Sequence, residues 1–63
     1  MSDFKTRLIA ERDETRDKEI KLVTFLESDN AKDIDDVQLT LLKIQSNAMT
    51  TYVSCLNARL ERL

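Results

Sequence analysis

At 63 residues and 7.3 kDa, with no His, Gly, Pro or Trp and a single cysteine, Cys55, the chain is read as one small domain, residues 1–63, with no internal disulfide and no zinc, haem or iron–sulfur ligand set. Ten basic against twelve acidic residues leave a net charge of −2, which speaks against bulk attraction to a phosphate backbone, so neither DNA nor RNA is expected as a partner. The missing imidazole removes the commonest general base; no catalytic residue, metal or cofactor is expected.

The opening segment, Met1-Ser2-Asp3-Phe4-Lys5-Thr6-Arg7, carries acids and precedes no apolar stretch longer than three residues. Neither a signal peptide nor a membrane span is therefore expected, and a lone thiol suits a reducing cytoplasm. A first helix is read over about residues 3–28. Phe4, Leu8, Leu22, Phe25 and Leu26 fall on one stripe of it, with Ile9, Ile20 and Val23 on a side strip. Its middle is polar: Thr15 sits on the stripe, and Glu11, Lys18 and Glu19 border it.

With Gly and Pro absent, the polar stretch at 27–33 is the one place suited to a turn, which is read over about 29–35, and Asn30 is the best candidate there for a left-handed residue. Asp35 reads as an N-cap with Gln38 at the third helical position, and Ile34 and Leu39 occupy the positions of a hydrophobic staple. A second helix follows over about 36–62. Its stripe is read as Leu42, Met49, Tyr52, Leu56, Leu60 and Leu63, interrupted by Gln38 and Gln45, with Val37, Ile44, Ala48 and Cys55 as a second apolar flank. The fold class is all-α: an antiparallel two-helix hairpin. Two helices facing only each other cannot cover two apolar flanks apiece, and a core in so small a chain rarely supplies more than about 3–5 kcal/mol. Assembly of hairpins into a homo-oligomeric bundle is the expectation.

Several polar positions admit two readings. Thr15, Lys18 and Glu19 form a partly solvated stripe with local pairs such as Glu14 with Lys18, or Lys18 joins Arg7, Arg12 or Arg16 in a pocket for a small phosphorylated ligand. Phe4 is a packing residue near a helix start, or, beside Lys5 and Arg7, a platform for stacking a base. Tyr52 reads as a core tyrosine whose hydroxyl meets Gln45 or the backbone, and Gln45 as that contact or as part of a second pocket. Arg59 and Arg62 complement the helix dipole. Residues 37–63 balance at +2 and residues 1–36, with seven bases against eleven acids, at −4. This asymmetry orients one chain against another, or gathers copies of Lys43 or Arg59 around a symmetry axis as an anion pocket.

The series Phe4-x-x-Arg7-Leu8-x-x-Glu11-x-x-Glu14, Lys18, Lys21-Leu22-x-x-Phe25-Leu26, then Leu41-Leu42-x-x-Gln45-x-x-Ala48-Met49-x-x-Tyr52-x-x-x-Leu56-x-x-Arg59, resembles a family of phage helical hairpins. These are the anti-CBASS cyclic-nucleotide sponges, whose hairpin is shared with a group of Thoeris-evasion sponges. The resemblance covers about residues 4–60 and departs from the pattern at Thr15 and Glu19, where such proteins tend to be apolar. It implies a protein that binds and sequesters cyclic di- and trinucleotide immune second messengers in the bacterial host cytoplasm without cleaving them. It also implies a homohexamer, a trimer of dimers, with dinucleotide pockets between protomers and, in many members, trinucleotide pockets near the threefold axis. An aromatic near the start of helix 1 then stacks on a base and a later Lys contacts phosphate; Phe4 and Lys18 are the matching positions. The alternative from another class is a small protein–protein module, inhibitor or antitoxin-like, acting through an exposed amphipathic face.

Overall fold

Helix formers without Gly or Pro produce two long helices, and the boundaries at the turn between them have local causes. The computed structural model describes residues 3–63; Met1 and Ser2 lie outside the described residues. Helix α1 runs Asp3–Leu26, a short 3-10 helix runs Asp29–Asp33, and helix α2 runs Asp36–Glu61. The helices pack side by side into a hairpin 48 Å long and 14 Å by 13 Å across.

The Asp35 N-cap of α2 is as expected. The Asp35 carboxylate accepts from the backbone N–H groups of Val37 at 3.1 Å and Gln38 at 3.2 Å, satisfying two donors that the first turn leaves without helical partners. The turn is built differently from the expectation. Helix α1 ends at Leu26, two residues before the expected limit, and no described residue, Asn30 included, has a positive φ. The carbonyl of Phe25 accepts both the Ser28 amide at 3.0 Å and the Ser28 hydroxyl at 2.6 Å. A helix end satisfied in this way needs no left-handed residue. Extended backbone at Ser28 and Ile34 brackets the 3-10 turn, whose Ala31 is buried.

The seam of α2 is Leu39, Leu42, Ser46, Met49, Val53, Leu56 and Leu60, every one buried or half-buried and spaced by alternating steps of three and four. This corrects the expected stripe: Tyr52, Leu63 and Gln45 are exposed, while Val53 and Ser46 are buried. Neighbouring residues on a helix point about 100° apart, so exchanging Tyr52 for Val53 rotates the whole contact face. In α1 the matching positions are Leu8, Arg12, Thr15, Glu19, Leu22 and Leu26, of which Leu8 is buried and the others half-buried. Phe25 is also only half-buried. On the outer face the ion pair is Asp17 with Lys21 at 3.0 Å, in place of the expected Glu14 with Lys18.

The polar middle of α1 is answered from α2. Arg12 Nη1 donates to Asn57 Oδ1 at 2.7 Å, and the Thr50 hydroxyl donates to the Glu19 carboxylate. Seven residues along α1 correspond to seven residues back along α2 in these two pairs, so both enforce one antiparallel register. Among the described residues, four apolar ones are buried: Leu8, Ala31, Val53 and Leu56. A second apolar face, Val37, Leu41, Ile44, Ala48, Tyr52 and Cys55, stays exposed along α2, and Phe4 and Ile20 are exposed on α1.

Candidate functional site

An antiparallel hairpin brings the start of α1 and the end of α2 to the same place, the open end of the molecule. There Phe4 and Leu8 from α1 meet Ala58, Arg59, Arg62 and Leu63 from the far end of the chain around a cleft of about 370 Å³. A second cleft of about 270 Å³ shares Phe4, Leu8 and Arg59 and adds Arg7 and Glu11. The Arg59 guanidinium carbon lies over the Phe4 ring, 5.8 Å from its centroid, within the range where a cation is attracted to the negative face of an aromatic ring. Phe4 is still 48% exposed, so much of its surface remains open.

The lining is unusual for so small a surface. Three arginines face one glutamate across the two clefts, and Phe4, Leu8, Ala58 and Leu63 supply apolar walls. Such a site suits a ligand with a flat apolar ring and attached anionic groups, because the ring stacks on Phe4 while guanidinium forks pair with phosphate or carboxylate oxygens.

Of the residues picked out from the sequence, Phe4, Arg7 and Arg59 converge at this end. Lys5 is exposed on the first turn of α1 and lines neither cleft. Lys18 is exposed fourteen residues beyond Phe4, about 21 Å further along the helix axis at 1.5 Å per residue. Lys43 stands near the turn, lining clefts with Glu27 and Leu26, with Ser46 and Asn47 on one side and Ala31 and Lys32 on the other. Gln45 is exposed and lines none of these clefts. The sequence reading assigns Arg62 only to the helix dipole; the structure adds it, with Ala58 and Leu63, to the open-end cleft. The signal for Arg62 was its spacing, since three residues after Arg59 returns to the same side of a helix.

Among the described residues, no helix is long and apolar enough to cross a membrane. The sequence matches the model of a protein family described as Sequestin over residues 2–62. Neither a curated protein nor a solved structure matches the chain.

Proposed function

This chain belongs to the Sequestin family, and from that premise we propose that it is a sponge, a protein that holds a small ligand without transforming it. The ligands proposed are cyclic di- and trinucleotide immune second messengers, and the setting is a phage protein acting against host defence in the bacterial cytoplasm. The family's name agrees with sequestration, and the nucleotide class rests on the resemblance of the helical pattern. The single observation that carries the reading is the Phe4 ring at the open end, with Arg7, Arg59 and Arg62 around it. Stacking supplies affinity for a base, and charge-assisted contacts supply affinity for phosphate; neither asks for a nucleophile or a general base.

Self-assembly belongs to the same proposal, as a homohexamer built from three dimers. The hairpin exposes 4991 Å², whereas a compact protein of its mass is expected to expose about 4,200 Å². The excess of roughly 800 Å² is the area one partner contributes to an ordinary stable interface. The separation of Lys18 from Phe4 also fits assembly, because both reach one small ligand only when it sits between two hairpins.

Calorimetric titration of the full chain with a panel of cyclic di- and trinucleotides tests the proposal. Tight binding is expected, at about one dinucleotide per two chains for a pocket shared by a dimer, with the ligand recovered intact. Phe4→Ala is expected to weaken dinucleotide binding while assembly persists. No heat from a folded protein with any member of the panel refutes the sponge. The exposed apolar face of α2 favours one competing reading, a module that docks on a foreign protein; a monomer that gains mass only with such a partner would establish it.

A further inference from the structure

Arg59 is held differently from the other arginine in a defined contact. Arg12 is tied by Asp13 at 2.8 Å and by Asn57 at 2.7 Å, whereas the Arg59 guanidinium forms no ion pair among the described residues and lies over the Phe4 ring. Its side chain is exposed, on the last turn of α2, with a cleft on either side of it. A guanidinium carbon over the ring at 5.8 Å from its centroid leaves too little room for a base to stack on that face without moving the side chain.

We propose that Arg59 is a displaceable cover on Phe4, and that its displacement makes the cleft select phosphate-bearing bases over neutral planar rings. This rests on the base-stacking reading of the open-end site. Every ligand that stacks on the covered face must first remove the guanidinium, which at an exposed position lowers affinity by about two- to fivefold. A neutral ring returns nothing for that loss. A nucleotide does, because the released guanidinium is already beside the cleft and its fork of donors matches phosphate oxygens. One residue thereby protects the ring in the free protein and recognises the anion in the bound one.

The test compares wild type, Arg59→Ala and Arg59→Lys, each as the full chain, with adenosine and cyclic di-AMP as probes. Affinities come from calorimetry for the dinucleotide and from ligand-observed NMR for the nucleoside. Arg59→Ala is expected to bind adenosine about two- to fivefold more tightly and cyclic di-AMP about tenfold more weakly. Arg59→Lys recovers part of the dinucleotide affinity through charge alone. In wild type the Arg59 side-chain protons, shifted upfield by the Phe4 ring, move downfield on saturation with cyclic di-AMP. If Arg59→Ala weakens both probes alike, or the Arg59 protons keep their upfield shift in the complex, Arg59 is a fixed backing for the ring and the inference is wrong. Wild type that binds cyclic di-AMP while Arg59→Ala changes neither affinity overturns only this inference. Wild type that binds no nucleotide at all removes the sponge reading and this one together.

Discussion

Ile44 offers the sharpest test of how so thin a molecule stays folded. It lies on α2 facing away from α1 and is 58% exposed in the single hairpin, between Leu41 and Ala48 on the apolar face. Fully burying an isoleucine is worth about 1.5–3 kcal/mol, so covering the exposed part with a second copy would stabilise the proposed assembly by about 1–2 kcal/mol per chain. Ile44→Asp forfeits that and places a carboxylate where it must lose its water, at a further cost of several kcal/mol. The dissociation constant of the assembly should therefore rise by at least about 100-fold. Sedimentation velocity across a dilution series reads this directly: wild type is expected at a multiple of 7.3 kDa, and the variant at the chain mass. Melting followed by circular dichroism gives a second readout, because the midpoint of an obligate oligomer rises with concentration while that of a monomer does not. A variant that keeps the wild-type mass at every dilution would show that the α2 face is not the contact between copies.

The other predictions concern the hairpin itself. Leu56 is 0% exposed, and Leu56→Ala should lower the stability measured by urea unfolding by about 2–5 kcal/mol, enough to exhaust the core of a chain this size; a loss under about 1 kcal/mol would refute the seam. Asp35→Ala removes the acceptor for the Val37 and Gln38 amides, and should destabilise by about 1 kcal/mol with faster hydrogen exchange confined to those two amides. Asn57→Ala leaves Arg12 without its partner on α2, for a loss of about 1 kcal/mol moderated by the guanidinium's access to water. A double-mutant cycle with Arg12→Ala should then show coupling of at least about 0.5 kcal/mol, and strict additivity would mean that the pair carries no energy.

Much of the architecture was legible because its causes are local. The Asp35 cap, the break in the polar stretch after Leu26 and the two long helices each depend on residues within a turn or two of one another. Where a local device has an equivalent, the sequence does not choose between them: Ser28 closes α1 through the Phe25 carbonyl, which makes a left-handed Asn30 unnecessary. At the site, Phe4, Arg7 and Arg59 were picked out for their chemistry, and an antiparallel hairpin joins the two ends of any such chain. Arg62 escaped because a cation near a helix C-terminus already has a sufficient explanation in the dipole.

From the sequence alone came an all-α hairpin with more apolar surface than two helices can hide, because composition, caps and periodicity act over short stretches of chain. Which side of α2 faces α1 was settled only in three dimensions. Apolar residues occupy two faces of that helix, so hydrophobicity by itself does not choose between a seam through Tyr52 and one through Val53. In the observed packing the polar middle of α1 finds partners: with Val53 inward, Asn57 reaches Arg12 and Thr50 reaches Glu19, two contacts made across the hairpin by residues 45 and 31 positions apart. A half-buried charge satisfied by a distant side chain is a property of the packed pair and has no local signature in the sequence.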